Sequence, residues 1–82
     1  MSMTEQYLKQ CGEHGEPPDH AHLLYYRGSD RAAEGAYDEA LELFLASLDA
    51  TMARIYSSGM TTLDGAHMEM AIKGIRKVTG KT

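Results

Sequence analysis

From Tyr37 to Ser58 the chain runs without a glycine or a proline. Within that run Tyr37, Ala40, Leu41, Phe44, Leu48, Met52 and Ile55 recur every three or four residues, the spacing that puts side chains on one face of an α-helix. Leu43, Leu45, Ala46, Ala50 and Ala53 widen that face, leaving Asp38, Glu39, Glu42, Asp49 and Arg54 as the clearly solvent-seeking positions. A helix apolar over so much of its circumference packs on more than one side. The rest of the chain has to be arranged around it.

Two further helices flank this central one. Asp19 follows Pro17-Pro18 and suits an N-cap, and Arg31-Ala32-Ala33-Glu34 has strong helix propensity. Ala21–Tyr26, read alone, also fits a short buried strand, but a lone strand has no partner to pair with, so 19–34 reads as helix. Gly28-Ser29-Asp30 is its weak point, and Gly35 suits the left-handed residue that ends it. After the break at Ser57-Ser58-Gly59, Thr61 or Thr62 caps a last helix over 62–79. Its buried stripe is read as Leu63, Met68, Ala71, Ile72, Ile75 and Val78, with Gly74 marking a close helix contact. Ahead of this bundle, Tyr7, Leu8 and Cys11 have helical spacing in a segment too short to be stable alone, and Gly12 to Pro18 reads as loop. The expected architecture is all-α: a three-helix bundle over 19–82, preceded by a short helix or arm and loop over 1–18.

The stretch Gly28–Leu48 resembles a tetratricopeptide repeat. That repeat's small residue, Gly-x-Tyr turn, alanine, aromatic and small residue fall on Gly28, Gly35, Tyr37, Ala40, Phe44 and Ser47, with Leu24 as the large first-helix residue. Arg31 stands where a tyrosine is usual, and no proline ends the second helix near Met52. The match covers about one repeat, short of the three a solenoid needs. A single hairpin with a further helix is also similar to the microtubule-interacting-and-trafficking domain, whose second-helix pattern Gly35, Tyr37, Ala40, Leu41, Leu43 and Phe44 follow. Both resemblances imply a module that takes a peptide or helix into a groove between helices.

Charge and composition narrow the function. The chain has 82 residues and a formal net charge of −4, which argues against a nucleic-acid partner. It holds no apolar run of the ~18–20 residues a membrane span requires, and Met1 to Gln6 lacks the layout of a signal peptide. One unpaired thiol, Cys11, fits a reducing compartment. These features together predict a cytoplasmic protein that does not bind membranes. Charged residues from Glu34 to Asp49 are all acidic, whereas Lys73, Arg76, Lys77 and Lys81 make the last stretch basic. Each set reads as a solvated helix face, or as a means of steering self-association or a charged partner.

Cys11, His14, His20 and His22 are the residue types that bind structural zinc, although His-x-His points two rings to different sides of a helix. Cys11 and His14 lack the orienting third group that a thiol nucleophile needs, and the glycines do not match a phosphate-binding loop. The reading is therefore of a protein that is no enzyme and holds no cofactor. It binds a protein or peptide in a groove lined by Leu24, Phe44, Leu48, Met68, Ile72 and Ile75. The alternatives are a small metal-binding protein using Cys11, His14, His20 and His22, or an acidic inhibitor that masks a larger target. Met68 and Met70 fall on different faces of the last helix, and this surplus apolar surface predicts a homodimer.

Overall fold

The computed structural model of the protein describes residues 2–80 and is built of helices, with no strand among them. Met1 and Lys81, which the sequence places in the arm and in the basic stretch, lie outside the described residues, as does Thr82. Four helices follow one another: α1 (Met3–His14), α2 (His20–Ala33), α3 (Tyr37–Ser58) and α4 (Thr62–Thr79). Helix α1 packs on α2, α2 on α3, and α3 on α4, while α2 and α4 touch only sparingly.

Three helices lie within 19–80, and the expected short helix or arm ahead of them is a fourth helix. The N-terminal arm is a helix of 12 residues, and it continues through Gly12, Glu13 and His14, where a loop was expected. Gly15, at φ 67°, ends it, and the Gly15 amide donates to the carbonyls of Cys11 and Gly12. A helix this short persists because α2 holds its N-terminus and its inner face. The Asp30 carboxylate accepts from the Met3 amide at 2.8 Å, the Thr4 amide at 3.1 Å and the Thr4 hydroxyl at 2.6 Å. Further along α1 the Tyr7 hydroxyl accepts from the Asp19 amide at 2.8 Å, and the Tyr7 ring lies 4.9 Å from that of Tyr26. Cys11 is buried in this interface.

Helix α2 is continuous through Gly28-Ser29-Asp30, and Ala21–Tyr26 is helical. The Asp19 side chain caps α2 by accepting from the His22 amide, and Gly35 turns the chain at φ 83°. Thr61 and Asp64 close a reciprocal capping box at the start of α4.

The core is centred on the α2–α3 crossing. Ala40, Phe44 and Val78 form its buried cluster, against which Tyr25, Ala32, Tyr37, Leu41 and Ile75 pack. A β-carbon on Gly28 would lie 2.9 Å from the Phe44 ring and 3.3 Å from the Ala40 carbonyl oxygen, so the absence of a side chain at 28 lets α2 and α3 close. The inward faces differ from those read in the sequence. In α4 they are Asp64, His67, Ala71 and Val78, whereas Leu63 is 75% exposed. In α3 they are Ala40, Phe44, Ser47 and Thr51. Small and polar residues fill the crossings, and the larger apolar stripes lie to either side.

Candidate functional site

Two features of the bundle bear on function: a cleft between α2 and α4, and a buried polar cluster beside it.

The cleft arises because α3 packs on both α2 and α4 without drawing them fully together. It has a volume of about 530 Å³ and is lined from α2 by Tyr25, Ser29, Ala32 and Ala33, and from α4 by Lys73, Gly74, Lys77 and Val78. Phe44 of α3 forms its floor, Tyr37 closes one end, and Met3 of α1 reaches its edge. Tyr25 and Phe44 lie with ring centroids 5.5 Å apart, so the floor is aromatic. A β-carbon on Gly74 would come within 3.0–3.1 Å of the Phe44 ring, so the bare backbone there lets α4 approach the floor. Lys73 and Lys77 stand on the exposed rim, and among the described residues no carboxylate lines this cleft. The lining therefore combines an apolar floor with a cationic edge.

The polar cluster lies where α2 begins and α3 meets the start of α4. Ser47 and His67 are completely or almost completely buried, and the Ser47 hydroxyl lies 3.1 Å from Nε2 of His67. Ser47 has one hydroxyl hydrogen, and it goes to the Ala21 carbonyl at 2.7 Å. His67 must then donate from Nε2, which leaves Nδ1 as a buried acceptor without a partner among the described residues. The His22 ring lies 4.1 Å away, centroid to centroid. Burial holds the His67 pKa below its ordinary value, and the neighbouring His22 acts in the same direction.

Arg54 ties this region together. Its guanidinium pairs with Asp19, the cap of α2, and with Asp64, the capping-box residue of α4. Burial alone would raise both carboxyl pKa values. The His22 amide with Arg54 at Asp19, and the Thr61 amide and hydroxyl with Arg54 at Asp64, outweigh it and hold both below the ordinary carboxylate value. One cation thus joins the N-termini of two helices to the far end of a third. Ser47 and His67 have the spacing of a nucleophile and a base, but both are sealed in the core and the serine proton is committed to Ala21. As arranged, the pair fastens α2, α3 and α4 together.

The residues singled out by sequence are distributed as follows. Phe44 lies on the cleft floor, and Ile75 packs against the core cluster. Leu24, Leu48 and Met68 are half-buried and Ile72 is exposed. Cys11 is buried under α1, His14 and His20 are exposed, and His22 lies against Asp19 and His67. Among the described residues, no three His, Cys, Asp or Glu side chains come together in a way that could hold a metal ion. No described helix is long and apolar enough to cross a membrane. Sequence reasoning missed Tyr25, Lys73 and Lys77 as cleft residues, and Ser47, Arg54, Asp64 and His67 as a network. The available signal was the row Asp64, His67, Ala71, Gly74, Val78, which keeps helical period while carrying polar and small residues. No family model matches the chain, and neither does any curated protein or solved structure.

Proposed function

We propose that the protein is an interaction module that takes a helix or extended peptide of a partner protein into the α2–α4 cleft. The observation that carries this reading is the lining itself: an aromatic floor of Tyr25 and Phe44 beneath the two rim lysines, Lys73 and Lys77. Apolar clefts with a few well-placed charges are how helical modules gain affinity from the floor and selectivity from the rim. The matching ligand presents an apolar anchor beside acidic side chains.

The acidic-inhibitor alternative is supported less well. Glu34, Glu39 and Glu42 line a trough along α2 and α3, but Arg27 and Arg31 line it too. Arg31 is paired with both Glu34 and Glu39, so two of the trough carboxylates already have a partner within it.

Selection from a random peptide library on the immobilised 82-residue chain tests the proposal. Enriched sequences are expected to carry an apolar residue flanked by Asp or Glu. The double variant Lys73→Glu/Lys77→Glu should retain its helical circular dichroism and lose binding by about tenfold or more, in line with reversed rim charges. Failure to enrich any motif, or binding indifferent to that variant, would remove the cleft as the site.

A further inference from the structure

The cleft and the polar cluster share one side chain, Tyr25. Its ring lines the cleft and packs on Phe44, and it also meets the ring of His67 edge-on, with centroids 6.0 Å apart. One aromatic ring therefore stands between the cleft and a buried titratable group. His67 is 1% exposed and reaches across from α4 to α2, where it touches His22 as well as Tyr25. These ring contacts matter because α2 and α4 otherwise touch only sparingly, each being held by α3. From α2 the ring is faced by His22, Tyr25 and the capping Asp19, and from α3 by Arg54. Asp64 precedes it by one turn on α4, and α1 reaches the cluster through Tyr7, 6.0 Å from the His22 ring. Neither carboxylate is free to take up a further cation. Asp19 holds Arg54 together with the amide and ring of His22, and Asp64 holds Arg54 and the Thr61 amide. A proton on Nδ1 of His67 would therefore lie in the core beside Arg54 and His22, with no acceptor among the described residues.

We infer, resting on the reading of the α2–α4 cleft as the binding site, that His67 is a pH-sensitive latch on that cleft. Protonation of Nδ1 parts the start of α4 from α2, and Tyr25 then loses the ring that braces it against Phe44. The seam between α2 and α4 is the one that yields, because α3 packs on both helices while they barely meet each other. Water admitted at that seam supplies the acceptor that the closed core lacks. The sign follows from the surroundings of the ring. Burial, His22 and Arg54 oppose the proton, and Asp19 and the Ala21 carbonyl, which favour it, do not offset them. The parted state takes up the proton near the ordinary 6.5 and the closed state only below it. Each fall in pH between those two values shifts the balance toward parting. The cleft thus binds at neutral pH and releases in mild acid.

Nuclear magnetic resonance of the isotope-labelled 82-residue chain, titrated from about pH 7.5 to about pH 5, reads the latch without any peptide. The His67 ring is expected to titrate below 6.5, and the amide signals of Ala32 and Gly74 to move with the same midpoint while the circular dichroism stays helical. These amides lie seven residues beyond Tyr25 and His67, about 10 Å along their helices, so their movement reports the cleft and not the charge on the ring. In His67→Gln both should stay still. Should that variant unfold, His22→Gln replaces it at a partly exposed position. Removing this neighbour should raise the His67 midpoint toward 6.5, and the two amides should follow. Amides that ignore the His67 titration, or that move equally in His67→Gln, would overturn the latch and leave the cleft reading standing. A peptide enriched on the native protein should bind it about two- to tenfold more weakly at about pH 5.5 than at about pH 7.5, and bind His67→Gln equally at both. Equal affinity of the native protein at both would overturn the release. A selection that enriches no peptide counts against the cleft reading instead, and the amide titration still decides the latch.

Discussion

A β-carbon on Gly74 would meet the ring of Phe44 at 3.0 Å. The same ring would stand 2.9 Å from a β-carbon on Gly28, so Phe44 is wedged between two helices that both present bare backbone to it. Alanine at either position would gain up to about 1 kcal/mol of helix propensity. Overpacking against a fixed ring costs about 1–3 kcal/mol. At Gly28 the Ala40 carbonyl also stands in the way, so Gly28→Ala is expected to be destabilising on balance, by about 1–2 kcal/mol. Gly74→Ala should cost less. Thermal unfolding of both variants, alone and with Phe44→Leu, checks the wedge, because a smaller side chain at 44 should relieve the clash at both glycines.

Ala40 occupies the crossing itself and is fully buried. Ala40→Leu has no space to fill, and is expected to lose at least the ~1–3 kcal/mol typical of an overpacked core. An unchanged urea midpoint would contradict the close approach of α2 and α3.

Much of this fold was legible in the sequence, for identifiable reasons. The α3 run, the Gly35 turn, the Asp19 cap and the Thr61 cap are local signals, and local signals survive into tertiary structure where nothing opposes them. Gly28, Ala40 and Gly74 were legible as close-contact positions because few other reasons place small residues there. Helix α1 was legible only as a short helix or arm, because its stability rests on the long-range bond set to Asp30, which its local spacing does not report. The inward face of α4 was misread for a different cause. Assigning apolar residues to the core overlooked His67 and Asp64, which are buried because Ser47 and Arg54 satisfy them. That rotation of the helix also separated the six residues proposed for one groove, leaving Phe44 on the cleft floor and Ile72 exposed on the other side.

Asp30 is the residue on which α1 depends most. Its carboxylate accepts from Met3 and Thr4, and although burial opposes ionisation, the Thr4 hydroxyl and the Met3 and Thr4 amides hold its pKa below the ordinary carboxylate value. Asp30→Ala is expected to cost about 1–2 kcal/mol, as the loss of a helix cap does. The effect should be local: faster amide exchange in α1, and faster reaction of the otherwise buried Cys11 with a thiol reagent. Because the folded pKa is depressed, the contribution of Asp30 is complete above the ordinary value of 3.8. It disappears as pH falls through the lower, folded value.

Arg54 joins Asp19 to Asp64, and lysine cannot reproduce that fork, since it offers a point charge where two carboxylates need separately directed donors. Arg54→Lys should lower the melting temperature, and Arg54→Met should lower it further by leaving two acids unpaired. In a variant that also carries Asp19→Asn and Asp64→Asn, Arg54→Met should cost much less than it does alone. A melting temperature insensitive to Arg54→Met would mean that the bridge contributes nothing.

His67 sets the behaviour in mild acid. Its ordinary pKa is 6.5, and burial lowers it in the folded protein. Above 6.5 neither the folded nor the unfolded state binds this proton, so the stability contribution is at its plateau. Below 6.5 the unfolded chain takes up a proton that the folded one refuses, because protonating Nδ1 would bury a cation without an acceptor, beside His22 and Arg54. Stability therefore falls as pH drops, by at most about 1.4 kcal/mol per pH unit. The fall from this group stops once pH passes below the folded value. Asp19 lies on the other side of the balance, since its carboxylate favours the protonated ring, and it is too weak to offset burial. Urea unfolding at about pH 7.5 and about pH 5.5 should show a loss in the native protein. His67→Gln should be less stable at the higher pH, since it disturbs the Ser47 contact, yet lose less between the two. An equal loss in both proteins would place the acid sensitivity elsewhere.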